Sequence, residues 1–381
     1  MNLLYISNIS GKRMSYGFSG SAIEAAHLLG YQFYSVANRS NSTNEDICAD
    51  EEKYGIKLLH INLSRNPFSL KNVRAYYELC DIIRKYDIDC IHCNTPIGGI
   101  LGRLAGKKCK IKKVIYQAHG FHFYKGAPKL NWILYYPVEK WLAHYTDAII
   151  TINQEDYELA KNKFKMRSDG SVYYVPGVGI DTSKYIIDEK IRMDKRNELN
   201  LKEDDIALVS MGDLIQRKNY DVAIRAISQI SNTKLHYYIC GTGPEEERLK
   251  IFAKKLGVLD RVHFLGFRSD IREVLLAADI FLFTTKQEGL SRSMMEAMAS
   301  GLPCIASKVR GNIDVLEHEK GGYLCSLSNE VEFSDAIKNL VESRSSRKSF
   351  GCANMVRIKK FDITIIIDRM CKIYEREFNL L

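Results

Sequence analysis

Apolar residues in this chain recur in two rhythms. Short runs read as buried strands: NLLYIS at 2–7, YQFYSVA at 31–37, IKLLHINL at 56–63, CIHCN at 90–94, KKVIYQAHG at 112–120 and DAIITIN at 147–153. Between them, SAIEAAHLLG at 21–30 and NVRAYYELCDIIRKY at 72–86 read as helices, the second with Val73, Tyr76, Tyr77, Cys80 and Ile83 along one face. A second series follows, with strands IALVSMG at 206–212, KLHYYICG at 234–241, RVHFLG at 261–266, DIFLFTT at 279–285 and PCIAS at 303–307. Its helices include NYDVAIRAISQI at 219–230 and PEEERLKIFAKKLG at 244–257. This alternation predicts an α/β protein of two parallel-sheet domains.

The seam is expected in YYVPGVGIDTSKY, residues 173–185, where a strand runs into Pro176, Gly177 and Gly179. That gives a first domain over 1–178 and a second over 179–358. The segment 359–381 holds ITIIIDRMCKIYEREF, which reads as a helix packing back on the first domain. Two such domains facing each other leave a cleft, and open parallel sheets bind ligands beyond the carboxyl ends of their strands. Chemistry is therefore sought in the loops that follow strands.

Composition narrows the class. A chain of 381 residues exceeds one small core, and 46% hydrophobic with 27% charged residues describes a globular protein. No signal peptide is read at the start, and no run approaches the roughly 20 apolar residues that cross a bilayer. Ten cysteines without framework spacing suit a reducing compartment, so a cytoplasmic location is expected. The net charge of +9 is uneven: residues 1–180 carry 23 Lys/Arg against 16 Asp/Glu, residues 181–381 carry 32 against 30. From Arg103 to Lys140 there are nine basic residues and one acid, Glu139. Such clustering suits an ordinary solvated surface, and equally anionic lipid headgroups or a phosphate-bearing acceptor. Nucleic acid is disfavoured, because no recognised binding motif accompanies the charge.

The stretch KQEGLSRSMMEAMASGLPCIAS, residues 286–307, carries the sharpest signal. Glu288 lies in a strand-to-helix loop and Glu296 inside the helix, which Gly301 and Pro303 stop. Ser293-x-x-Glu296 fits a capping box, an ordinary structural use for Glu296. Glu288 has no such use. Backbone N–H groups of 290–294 at a helix start can cradle a diphosphate, and carboxylates accept hydrogen bonds from sugar hydroxyls.

With these residues on the page, E-G-L-x5-E-A-M-A-S-G-L-P resembles the signature of retaining family-4 glycosyltransferases of the GT-B fold, two Rossmann-like domains facing across a cleft. GFSGSAIEAAHLLG, QAHGFHFYKGAP, YYPVEKWLAHYTDAIITINQEDYELAK, VPGVGIDTSKY, CGTGPEEERL and LGFRSDI follow in the family's order along almost the whole chain. The second and third of these closely resemble bacterial exopolysaccharide and capsule glycosyltransferases of the EpsD type. The resemblance implies a donor site in which Glu288 sits beside the sugar, Glu296 holds the ribose hydroxyls, and Gly289, Leu290 and Ser291 offer backbone N–H groups. Lys218 matches the lysine on the leaving diphosphate. Gly241 and Gly243 match the turn beside the nucleotide, and Phe267 with Arg268 the base. Gly17 and Gly20 match a loop closing over the phosphates, and His119 the histidine near the sugar–acceptor junction. Where many members carry Gly-Arg before the lysine, this chain has Gly212-Asp213; Arg217, adjacent to Lys218, suits supplying that charge and suits a surface position equally.

What the resemblance implies is metal-independent transfer, with retention and without a cofactor, from a nucleotide-diphosphate sugar to a saccharide acceptor. The donor expected is a UDP-hexose or UDP-N-acetylhexosamine. The acceptor is expected to be lipid-linked, with peripheral association at the inner membrane face. Two alternatives are a nucleotide-sugar 2-epimerase of the same fold and a non-catalytic sugar-nucleotide-binding subunit. Other features read as ordinary: Asp87–Asp89 precedes a strand, Cys90 and Cys93 lack a second pair, and His122 suits packing or surface as well as acceptor. In KLNWILYYPVEKWLAHY, 129–145, the aromatics suit either core or a membrane interface, and Pro137 with Glu139 argues against one continuous membrane-lying helix.

Overall fold

The strands run parallel in two separate sheets, as the near-continuous apolar runs require when both sheet faces are covered. The computed structural model describes residues 1–8, 11–14, 16–167 and 170–378. The chain divides into two units, Met1–Gly179 with Ile363–Leu381, and Ile180–Asp362.

In the first unit the strands are β1 (Asn2–Ile6), β2 (Gln32–Ala37), β3 (Lys57–His60), β4 (Cys90–Asn94), β5 (Lys113–Ala118), β6 (Ala148–Thr151) and β7 (Ser171–Tyr174), ordered β3-β2-β1-β4-β5-β6-β7. Side-chain alternation splits the core in two. Leu4, Ile6, Ile91, Cys93, Val114 and Tyr116 face one layer of helices, and Leu3, Tyr5, Cys90 and Ile115 face the other. On the second face the Ile363–Phe378 helix buries Ile366, Met370, Ile373, Tyr374 and Phe378, and the Tyr374 hydroxyl lies 2.6 Å from His92 Nδ1. On the first face the Pro96–Lys108 and Lys129–Ala143 helices are pinned by a buried ion pair. Arg103 Nη1 donates to Glu139 Oε2 at 2.8 Å, with the Tyr116 ring 3.9 Å from the guanidinium and its hydroxyl donating to Glu139 at 3.3 Å.

That pair corrects the reading of Pro137 and Glu139. Lys129–Ala143 is one continuous helix. Glu139 turns inward to Arg103, and Pro137 lies on the exposed side of the helix. The helix is apolar on two sides. Trp132 and Tyr136 pack on Phe123, while Leu130, Ile133, Leu134, Val138 and Trp141 form an outward stripe.

The second unit repeats the order with β8 (Ile206–Met211), β9 (Leu235–Cys240), β10 (Val262–Gly266), β11 (Ile280–Phe283), β12 (Cys304–Ser307) and β13 (Gly322–Cys325), arranged β10-β9-β8-β11-β12-β13. Both sheets thus have the Rossmann strand order, reversing beside β1 and β8, where the crevices of such sheets lie. The unit is closed by its own last turn: the Ile180 N–H donates to the Phe361 carbonyl at 3.1 Å and the Thr182 N–H to Asp362 at 3.2 Å. Lys359–Phe361 therefore stays with the second unit, and the helix that returns to the first begins at Ile363 rather than at residue 359.

Candidate functional site

The loops leaving β8 and β11 meet where the second sheet reverses its order. After β8 the chain turns through Gly212 and closes a short 3-10 turn over Gln216–Lys218. After β11 it runs through Thr284 and Thr285 into the Glu288 loop. The two loops are stitched together. The Lys286 N–H donates to the Arg217 carbonyl at 2.8 Å, and the Thr284 hydroxyl to the carbonyls of Lys218 and Asn219 at 3.1 and 3.0 Å.

On that frame Lys218 Nζ donates to Glu288 Oε1 at 2.6 Å, Arg217 Nη1 to the same oxygen at 2.9 Å, and the Thr285 hydroxyl at 3.2 Å. Lys218 also sits 4.7 Å from the Phe283 ring centroid, a cation–π contact that fixes its approach. Lys218 and Glu288 are largely buried, with side chains 12% and 13% exposed, whereas Arg217 is open to solvent. Asp213 is exposed. Two cations thus stand over one carboxylate at the carboxyl edge of the sheet, the charge an anionic leaving group needs.

Gly241 and Gly243 follow β9. Gly241 has φ 146°, and a Cβ there would lie 2.0 Å from the Gly212 carbonyl oxygen, so the two turns touch through backbone alone. The Gly289 backbone is approached in the same way by Gly311, where a Cβ would meet the Gly289 carbonyl oxygen at 2.4 Å. Leu290 packs on the core of the unit. Ser291 caps the Arg292–Ala299 helix, its hydroxyl accepting from the Met294 N–H at 3.3 Å.

This displaces the expected capping box. Ser293 lies inside the helix, so Glu296 is not its capping partner. Glu296 instead accepts from Arg292 Nε at 2.9 Å and from the hydroxyl of Tyr185, whose pKa is raised by burial and by that carboxylate. Phe267 is 82% exposed. Arg268 is held in an ion-pair network, donating to Asp270 Oδ1 at 2.7 Å and Glu198 Oε1 at 2.8 Å, with Lys195 bonded to both acids. These bonds hold the Asp270 carboxyl well below its ordinary range.

In the first unit His119 follows β5. Its Nε2 lies 3.0 Å from Asn94 Oδ1 at the end of β4, and the Phe18 ring lies 4.2 Å from its own. Burial pushes its pKa down to about 4, so the ring is neutral near pH 7. Because an amide oxygen only accepts, Nε2 carries the proton and Nδ1 is left as an acceptor. Gly17 and Gly20 lie within the first turns of the Tyr16–Leu28 helix rather than on a loop. Gly20 is packed under Tyr16, whose ring a Cβ would meet at 2.8 Å.

Thr285, Tyr185 and Asn94 were missed from sequence. Asn94 alone carried a usable signal, a buried amide at the carboxyl end of a strand. Among the described residues no group of three or more His, Cys, Asp or Glu side chains is placed to hold a metal ion.

Comparison with known proteins covers both units. Residues 191–354 match the family model of glycosyl transferases group 1, and residues 23–153 that of glycosyl transferase 4-like proteins. EpsD of Bacillus subtilis is 35% identical over 335 residues, covering 87% of this chain and 86% of that protein. The Escherichia coli UDP-Gal:alpha-D-GlcNAc-diphosphoundecaprenol alpha-1,3-galactosyltransferase is 26% identical, covering 82% and 81%. Among solved structures, Anabaena HepE in complex with UDP superposes with a TM-score of 0.81 at 19% identity, covering 99% of this chain and 100% of that one.

Proposed function

The chain belongs to the group 1 glycosyltransferases, and from that premise we propose that it moves a hexose or N-acetylhexosamine from a UDP-sugar to a saccharide carried on a lipid diphosphate. The product would serve a bacterial exopolysaccharide or capsule. The observation that carries the donor half is the convergence of Lys218 and Arg217 on Glu288 at the reversal point of the second sheet. Cleaving the bond between the anomeric carbon and the phosphate oxygen leaves negative charge on the departing nucleotide. Lys218 and Arg217 meet that charge without calling on a metal, aided by the backbone N–H groups of 289–291. A single well-placed donor of this kind is typically worth ~3 kcal/mol.

Glu288 accepts from hydroxyls of the donor sugar, and Glu296, freed from any capping role, from those of the ribose. Gly241, Gly243, Phe267 and Arg268 line the nucleotide. Arg268 serves through its backbone, since its guanidinium is held by Asp270 and Glu198. Transfer proceeds with retention: the acceptor oxygen attacks the face the phosphate leaves, and its proton passes to the departing phosphate oxygen. In the first unit the Nδ1 of neutral His119 accepts from a saccharide hydroxyl.

The acceptor class is supported by the E. coli relative, and by a Campylobacter jejuni one that is 24% identical and named for an undecaprenyl-diphosphate saccharide. Such an acceptor brings the enzyme to a membrane surface. The outward stripe Leu130, Ile133, Leu134, Val138 and Trp141 is suited to lie in its interface. No helix among the described residues is long and apolar enough to cross a membrane.

A panel of nucleotide-sugars tested by thermal shift checks the donor half, since a ligand bound only by the folded state raises Tm. One or two UDP-sugars are expected to stabilise the wild type, and Lys218→Ala to abolish the effect while retaining the fold. A protein stabilised by no nucleotide-sugar contradicts the proposal.

A further inference from the structure

Away from the donor site, the first unit carries three neighbouring cavities that change character along their length. Between the Lys71–Lys85 and Pro96–Lys108 helices lies a groove of about 730 Å³, lined by Phe68, Leu70, Val73, Tyr77, Leu101 and Leu104 and bordered by Lys107, Lys108 and Lys110. The apolar side chains at its mouth face water: Phe68 is 92% exposed and Leu70 84%. A single exposed apolar side chain is ordinary, whereas a lined groove of this size falls in the range that holds a ligand.

Lys107 and Lys110 also line a second cavity of about 550 Å³, together with Lys112, Lys113 and Arg167. Lys110 and Lys112 border a third of about 440 Å³. The nearby carboxylates already have partners, and Asp89, which lines the third cavity, accepts from the Asn2 N–H at 2.7 Å. Asp147 accepts from Arg167 Nε at 2.9 Å and from the Val114 N–H at 2.8 Å, and Glu377 pairs with Lys113 at 3.5 Å. Among the described residues Lys107, Lys108, Lys110 and Lys112 have no ion-pair partner. Lys107 is instead held over the Tyr145 ring, its Nζ 3.9 Å from the centroid. These lysines lie at the amino end of β5, whereas His119 follows its carboxyl end. The strand rises about 3.3 Å per residue, so the two places are on the order of 20 Å apart. The site is thus distinct from the saccharide-binding edge.

We propose that this end of the first unit seats one anionic phospholipid of the bilayer, its acyl portion in the groove and its phosphate among Lys107, Lys110 and Lys112. An apolar trough leading into unpaired ammonium groups matches the two halves of such a molecule. Neither half suffices alone, because exposed lysines hold a free phosphate weakly in physiological salt. The inference does not depend on the donor or acceptor assignment.

The test is calorimetric titration of the full chain with dihexanoylphosphatidylglycerol below its micelle concentration, beside dihexanoylphosphatidylcholine and glycerol 3-phosphate. Phosphatidylglycerol is expected to saturate at one per chain, roughly tenfold or more tighter than either comparison ligand. Val73→Asp/Tyr77→Asp, at two exposed positions, and Lys107→Glu/Lys110→Glu should each weaken it by roughly tenfold, while Ile133→Asp, on the outward stripe of the Lys129–Ala143 helix, leaves it unchanged. Sugar transfer to a soluble acceptor should survive in both double variants. Equal binding of phosphatidylcholine, undiminished binding in both double variants, or no binding would overturn the proposal. So would a dimer in sedimentation velocity that Val73→Asp/Tyr77→Asp disperses, since the groove would then be a contact between copies.

Discussion

Lys218 Nζ and Glu288 Oε1 are 2.6 Å apart, and Arg217 Nη1 reaches the same oxygen at 2.9 Å. One carboxylate oxygen holds two cations in place across 70 residues of sequence. Removing Glu288 leaves both cations without their shared acceptor, whereas removing Lys218 leaves Glu288 with Arg217. Glu288→Ala is expected to destabilise the protein more than Lys218→Ala does, by about 1 kcal/mol in urea denaturation. In turnover the two variants should both fall by roughly a hundredfold to a thousandfold. Equal stability with retained turnover would show the pair to be incidental.

The reassigned cap gives a second prediction. Ser291 satisfies a helix N–H, and Ser293 does not cap. Ser291→Ala should cost about 1 kcal/mol of unfolding free energy, and Ser293→Ala less than about 0.5. Thermal denaturation of the two variants side by side decides it, and the reverse order would restore the capping box.

Within the first unit, Glu139→Ala leaves Arg103 buried without its acid. A loss of about 3–5 kcal/mol is expected. The double variant Arg103→Met/Glu139→Leu, which removes both charges, should recover most of it. Chemical denaturation of the single and double variants measures both, and an additive double variant would refute the coupling.

Much of the fold was readable because parallel strands covered on both faces leave uninterrupted apolar runs, as in DIFLFTT and IALVSMG. β13, Gly322–Cys325, was not read, since GYLC is short and opens on a glycine. The Glu288 loop could be placed because an apolar strand ends just before it. Its partnership with Lys218 could not, since the two meet only when β8 and β11 pair side by side. The capping box failed for a local reason: the backbone adopts extended geometry at Ser291, which takes the cap although Met294, three residues on, cannot complete a box. Pro137 misled because its helix-breaking cost depends on which side faces water. Only the buried pair with Arg103 reveals that side.

Buried histidines link stability to pH, His119 and His92 more strongly than His263, which burial also lowers. Burial lowers His119 to about 4 and His92 to about 3, against an unfolded value near 6.5. Between those values the unfolded chain binds protons that the folded one refuses, so stability rises with pH. It should therefore be full above about pH 6.5 and fall on acidification toward pH 4, each group contributing at most about 1.4 kcal/mol per pH unit. His119→Gln is expected to flatten that slope in thermal melts taken across the range. The wild-type turnover profile should show no step in the pH 6–7 window attributable to His119, which is already neutral there.

The most direct measurement follows both products of one reaction. The protein is incubated with the UDP-sugar that stabilises it and an N-acetylglucosaminyl-diphospho-lipid, then released UDP and acceptor mass are recorded together. Gain of one sugar by the acceptor for each UDP released, with an α-linkage retained from the donor and loss of both signals in Lys218→Ala, is the predicted result. UDP release without acceptor gain, donor recovered as its epimer, or full turnover in Lys218→Ala would contradict it.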